Sequence, residues 1–328
     1  MPKKNFRKKL ISLHLLCLTF VASLFTSYTT LALPLSIDIT YLKLHKQQAP
    51  ALSNILEMAK DSGYQGANLA INDSNTTGKF LQQHFALQSF EFTNQQKFIN
   101  HLKEEFNSGK SIFILDASVA TLNKINLWAQ NKNILLFNIS EFSNDLRDSQ
   151  CLNTILHTAP SHAMKSDSIA QWLLYRRLTK VLLIHGEKSA DIALANSFKR
   201  SAKRYGLKII AEKKWSFDTD LRRSAQKEIP LFTQTSKDYD VVYVADDTKD
   251  FAEYIPFNTY LPRPVVGSAG LEALSWHKVI EQWGAAQLQT RFEKLTNRYM
   301  NEIDFNGYLA VRTVAQAVHK TNAAKVST

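Results

Sequence analysis

Glycine is scarce in this 328-residue chain, ten in all, and no phosphate-cradling glycine pattern follows any of its apolar runs. Without such a pattern neither dinucleotide binding nor P-loop nucleotide chemistry is expected. The run "VGSAG" around Ser268 lacks the glycine that a nucleophile elbow needs two positions before its serine, because Val266 stands there. Cysteine is limited to Cys17 and Cys151, and no His and Asn pattern around Cys151 marks it as a nucleophile. His157, His162, His185 and His277 are scattered without paired metal-ligand spacing. These absences leave no catalytic residue, no metal site and no cofactor to expect, and the chain is read as a non-enzyme.

What is present begins with an export signature. Lys3, Lys4, Arg7, Lys8 and Lys9 precede an apolar run from Leu10 to Phe25, and Thr30 and Ala32 are spaced as a small-x-small cleavage site. Residues 1–32 therefore read as a cleaved signal peptide, an uncleaved anchor being the other reading. Leu16 before Cys17 argues against a lipoprotein. Cleavage removes Cys17 and five positive charges, so the formal charge of +11 falls to about +6. The one dense basic stretch, "SFKRSAKRYGLK", places its lysines and arginines on one helix face, which reads as solvated surface, and no nucleic-acid partner is expected.

From residue 33 onward, strand-like and helix-like segments alternate. "LSIDITYLKL" is a first strand, and helical periodicity runs from Pro50 to Ala70. Asn72 to Gly78 reads as a polar turn leading to the strand "FALQSFEF" at 85–92. "QQKFINHLKEEFN" is an amphipathic helix, "SIFILDAS" and "NILLFNIS" are short buried strands, and a helix lies near Leu122 to Asn131. The same grammar restarts after "CLNTILHTAPSHAM". It gives helix 162–177, strand 180–186, helix 189–205, strand "LKIIAEKKW", a polar segment containing Pro230, strand 240–247, a helix near Phe251 and "PVVGSAG". The final helix carries Leu309, Val311, Val314 and Val318 on one stripe. The expected fold is α/β, with two Rossmann-like lobes of parallel sheet joined by a hinge. The lobes span 33–157 and 158–284, and 285–328 returns to pack on the first.

In open parallel sheets, ligands sit beyond the carboxyl ends of the strands. Four strand ends here carry polar groups: Asp116 and Ser118, Asn138 and Ser140, Asp246 and Asp247, and Ser268. Helix capping is the ordinary employment of each residue type. With two lobes facing each other, ligand contact by some of them is expected.

At this point "GANLAINDSN" (66–75) and the strand order after it resemble the type I periplasmic binding proteins of the branched-chain amino acid receptor kind. "NDSNTTGKFL", "ILHTAPSHAM", "DYDVVYVADD", "RPVVGSAGLEALSWH" and "EQWGAAQLQTRFEKLTNR" more closely resemble substrate-binding proteins of ABC transporters associated with PQQ-dependent alcohol dehydrogenase systems. The resemblance implies a periplasmic solute-binding component of an importer that takes a small-molecule ligand. Its partners would be an inner-membrane permease and a quinoprotein dehydrogenase. A ligand sensor or accessory protein of the dehydrogenase system is the alternative. Ser118 matches the family's serine, but "EKSAD" has no tyrosine and Ala269 stands near the position of the second lobe's acid, which argues against an α-amino acid ligand.

Overall fold

The computed structural model describes residues 34–45, 59–148, 154–216 and 221–326, without the side chains of 221–224. The signal segment, Cys151 and residues 50–58 of the helix expected over Pro50 to Ala70 lie outside the described residues; the described part is helical only from Tyr64. Residues from Leu35 onward form one compact unit.

Two all-parallel sheets follow one another along the chain. In the first, β1 (Leu35–Leu44), β2 (Gln83–Phe92), β3 (Ile112–Asp116), β4 (Leu135–Asn138) and β5 (Ile155–His157) lie in the order β2-β1-β3-β4-β5. In the second, β6 (Lys180–His185), β7 (Lys208–Lys214), β8 (Val241–Ala245) and β9 (Val265–Gly267) lie in the order β7-β6-β8-β9. The central strands IFIL and VVYVA are buried throughout, as strands covered by helices on both faces must be.

On the first sheet, α1 (Tyr64–Leu81) and α8 (Glu302–Thr321) share one apolar face with β1, while α2 (Gln95–Asn107) and α3 (Val119–Ala129) cover the other. On the second sheet, α4 (His162–Tyr175) and α5 (Ser189–Tyr205) cover one face and α6 (Leu221–Thr233) the other. A further helix, α7 (Ala285–Thr296), puts Ala285, Leu288 and Phe292 against Leu69 of α1. Among the described residues no helix is long and apolar enough to cross a membrane.

Three local expectations are corrected. The run Asn72 to Gly78 is not a turn: α1 continues through it to Leu81. Its polar side chains are satisfied in place, because Ser74 Oγ donates to Ala70 O, Thr76 Oγ1 donates to Asn72 O, and Asn75 brackets the backbone of Phe85 at the start of β2. Pro230 does not sit in an irregular segment: it lies inside α6, in its last turn, where Thr233 Oγ1 donates to Ile229 O at 2.8 Å. The helix expected near Phe251 is a single 3-10 turn, Ala252–Tyr254.

Candidate functional site

Register places the polar strand ends side by side. On the first sheet, Lys43 pairs with Asp116, and Asn138 lies between Leu115 and His157. On the second, His185 pairs with Ala245 and Val244 with Gly267, so Asp246 and Ser268 follow at the same edge. Parallel pairing therefore gathers the candidate residues at the carboxyl edge of their own sheets.

The first-sheet groups divide by how fully they are employed. Asn138 is fully buried; its Oδ1 accepts from the backbone N–H of Ser140 and Glu141, and its Nδ2 donates to Glu141 O at 2.8 Å and to His157 Nδ1 at 3.0 Å. Asn138 thus shapes the loop after β4. Ser140 Oγ is buried and has no partner among the described residues. Asp116 faces Lys43 at 4.0 Å. Ser118 begins α3, and its hydroxyl sits 3.1 Å from Thr121 Oγ1, which accepts from Gln95 Nε2.

On the second sheet Asp246 is buried, and its Oδ2 accepts from the backbone N–H of Phe251 and Ala252 while Oδ1 has no partner among the described residues. Burial raises its pKa, as it does that of Asp191, whose Oδ1 accepts from Asp247 N. Ser268 Oγ accepts from Asp246 N at 2.9 Å, which joins the ends of β8 and β9. The Asp247 carboxylate is exposed and lies 3.9 Å from His162 Nε2.

His162, a scattered histidine in the sequence, and the residues around it link the two sheets. His162 N donates to Phe142 O, Ala163 N donates to Asn144 Oδ1 at 2.7 Å, and Asn144 Nδ2 donates to Ser197 Oγ on α5. Lys165 of α4 pairs with Glu302 of α8 at 2.6 Å, and Glu302 also accepts from Ser275 N. Asn306 accepts from Ser275 Oγ, donates to Ile139 O, and receives the Thr158 hydroxyl at its carbonyl. The chain segments near 158–165, 275 and 302–306 are therefore laced together where it passes between the sheets. Among the described residues no group of three or more His, Cys, Asp and Glu side chains could hold a metal ion.

Burial, followed by the nearby Arg147 charge, holds His157 down at about 4 against an ordinary 6.5. Between those values the unfolded chain takes up a proton that the folded one refuses, so this group withdraws stability as pH falls from about 6.5 toward 4. Asp246 has the opposite sign: its raised pKa adds stability below the unfolded value of 3.8, lost as pH rises through the folded one. Thermal unfolding between pH 7 and 4.5 is expected to show a shallower acid-side fall in Tm for His157→Gln than for the parent. Identical slopes would remove His157 from the account.

A sequence model of the periplasmic binding protein family matches residues 56–255. No curated protein matches the chain in sequence. Among solved structures it resembles a branched-chain amino acid ABC transporter periplasmic ligand-binding protein from Burkholderia xenovorans LB400. The identity is 16%, with 88% of this chain and 79% of that one covered and a TM-score of 0.68. It also resembles the substrate-binding protein LivJ from Streptococcus pneumoniae in complex with isoleucine, at 16% identity, 89% and 85% coverage and a TM-score of 0.62. A third neighbour is a solute-binding protein of an ABC transporter from Rhodopseudomonas palustris in complex with benzoate, at 12% identity, 86% and 80% coverage and a TM-score of 0.60. The family and these neighbours are substrate-binding proteins, and the family implies a periplasmic location. With the two parallel sheets and their polar carboxyl edges, the sequence match shows that this chain belongs to the periplasmic binding protein family.

Proposed function

We propose that the protein is the exported solute-binding component of an ABC-type importer, taking a small polar ligand between the carboxyl edges of its two sheets and handing it to an inner-membrane permease. The observation that carries this reading is the placement of polar groups at both edges, joined by a loop after β4 that already bonds to α4 and α5. Residues 1–32 serve as the export signal, 33–157 and 158–284 as the two lobes, and 285–328 as the return segment on the first. Ser118, Ser140 and Asp116 supply contacts from the first lobe and Asp247 from the second. Asn138, Asp246 and Ser268 hold the loops that carry them. Closure of the hinge on the ligand shifts the population toward the closed form, and no bond is broken. A link to a PQQ-dependent alcohol dehydrogenase system is supported by the sequence resemblance alone.

A thermal-shift screen of the exported protein against amino acids, aromatic and aliphatic acids, alcohols, polyols and quinones tests this. A ligand at a hundred times its dissociation constant is expected to stabilise the protein by about 2.7 kcal/mol. Ser118→Ala and Ser140→Ala are expected to reduce that shift. Conversion of any solute to product, or stabilisation by none across the panel, would count against the reading.

A further inference from the structure

The second sheet has two edges, and the polar strand ends that face the solute occupy only one of them. Crossover helices run against the strands of a parallel sheet, so α4 and α5 finish, and β6 and β7 begin, at the opposite edge. That amino edge is cationic. Arg176 and Arg177 follow α4, Lys203 and Arg204 close α5, and Lys180 and Lys208 are paired as the first residues of β6 and β7. The connections into β8 and β9 add Lys237 and Arg263. All of these side chains are exposed.

Complementing the helix dipoles accounts for the cations that end α4 and α5. It does not account for Lys180, Lys208, Lys237 and Arg263, which lie on strands and loops. Nor do acids neutralise the edge. Asp167 accepts from Ser201 Oγ and pairs with Arg204 at 3.0 Å; among the described residues, Arg204 alone of these cations lies within ion-pair distance of an acid. Asp240 spends its Oδ2 on the backbone N–H of Thr179 and Lys180, which leaves the exposed Asp238 as the remaining acid of the β8 connection.

Apolar side chains stand among the charges. Tyr175, the last residue of α4, is 82% exposed, and Leu231 near the end of α6 is 70% exposed. Tyr260 N donates to Thr233 Oγ1, which seats a third exposed side chain beside the end of α6. The cations thus spread over the strand starts and the helix ends beside them, interleaved with aromatic and aliphatic tips. A folded acidic partner would need its carboxylates matched to these positions one by one. An anionic headgroup layer has no fixed register, attracts each basic side chain near its surface, and accepts tyrosine at the boundary with the acyl chains. We propose that the amino edge of the second sheet is a docking surface for a bilayer containing anionic phospholipid. The carboxyl edge, at the far end of the same strands, stays clear of the lipid.

Flotation of the whole exported protein with vesicles tests this. Phosphatidylcholine vesicles in which phosphatidylglycerol makes up about a third of the lipid are expected to bind at least tenfold more tightly than phosphatidylcholine alone, and the binding to weaken steeply with added salt. Arg176→Gln, Lys203→Gln and Lys208→Gln together are expected to lose at least tenfold of that affinity. Lys79→Gln, Lys97→Gln and Lys320→Gln together remove the same charge from exposed positions on the helices of the first sheet, and are expected to leave it unchanged to within about twofold. Tyr175→Ser, which alters no charge, is expected to weaken binding several-fold, and it decides the matter if the first triple variant does not fold. Equal losses in the two triple variants would reduce the attraction to net charge. Equally tight binding to a single-stranded oligonucleotide or to polyglutamate would assign the edge to polyanions at large. Either result, unchanged binding by Tyr175→Ser, or no preference for the anionic vesicles would overturn the docking surface, and none of them touches the solute-binding reading.

Discussion

Alanine at Gly66 is expected to destabilise the protein more than any other single-methyl change. A Cβ built there lies 1.7 Å from the carbonyl oxygen of Asp304 and 2.8 Å from its Cα. Gly307 meets α1 in the same way, its Cβ falling 2.3 Å from Gly63 O. The helices α1 and α8 therefore cross backbone to backbone, each through a glycine, and no rotamer change relieves the clash. The helices would have to separate, and α8 carries Glu302 and Asn306 to the passage between the sheets. The cost is expected to exceed the ~1–3 kcal/mol usual for overpacking. On thermal unfolding this means insoluble protein or a Tm lower by about 5 °C or more. Gly206 makes the contrast: it ends α5 at φ +74° with nothing within 4 Å of an added Cβ, so Gly206→Ala is expected to cost only ~1 kcal/mol of backbone strain. Equal effects at the two positions would contradict the close crossing.

Loss of the Asp304 carboxylate is expected to be comparably severe, for an electrostatic reason. The side chain is fully buried and accepts from Arg298 Nη1 at 2.6 Å, Arg298 Nη2 at 3.1 Å, Gly63 N at 2.8 Å and Asn301 N at 3.1 Å. It therefore caps α8, fixes the start of α1 and pairs with a cation that also reaches Asp61. Asp304→Ala leaves two backbone donors unpaired and Arg298 with only Asp61 and the Tyr299 carbonyl as partners, which is expected to cost ~3–5 kcal/mol by analogy with broken buried pairs. Arg298→Met combined with Asp304→Leu is expected to recover part of that loss, since burying neither charge is cheaper than burying one. A double variant no more stable than Asp304→Ala would place the loss in the missing cap instead of the stranded charge.

Much of the fold was legible because burial leaves an unbroken signature in this chain. "IFILD" and "VVYVA" could be read as inner strands from apolar content and length alone, and the glycine stop after Tyr205 marked the end of α5. The failures have local causes. Helical periodicity ends at Ala70 in the sequence, because the Asn, Ser and Thr that follow favour turns. In the folded chain those side chains bond to carbonyls one turn back and to Phe85, which a one-dimensional pattern does not reveal. Pro230 reads as a helix breaker, yet α6 runs through it at the cost of the one i→i−4 bond its nitrogen cannot donate. The spacing of Ala285, Leu288 and Phe292 is the helical signal of α7 that the sequence does carry.

The site was legible to the level of strand ends but not of employment. Asn138 and Ser140 look alike in sequence as polar exits from one strand, yet one spends its groups on the loop and the hydroxyl of the other has no partner among the described residues. Asp246 and Asp247 divide similarly, into a buried loop anchor and an exposed carboxylate. Arg147 carries no signal in the sequence, and His157 and His162 read there only as scattered histidines, because the contacts they make arise from folding "SEFSNDLR" back onto "HTAPSH", which has no sequence period.

The central claim is that two parallel-sheet lobes close over a solute without altering it. Small-angle X-ray scattering of the exported protein, with and without the solute giving the largest thermal shift, tests this most directly when the same sample is assayed for unchanged solute. The account predicts a smaller radius of gyration on saturation and full recovery of the solute. Saturable binding with an unchanged radius, or recovery of a product in its place, would contradict it.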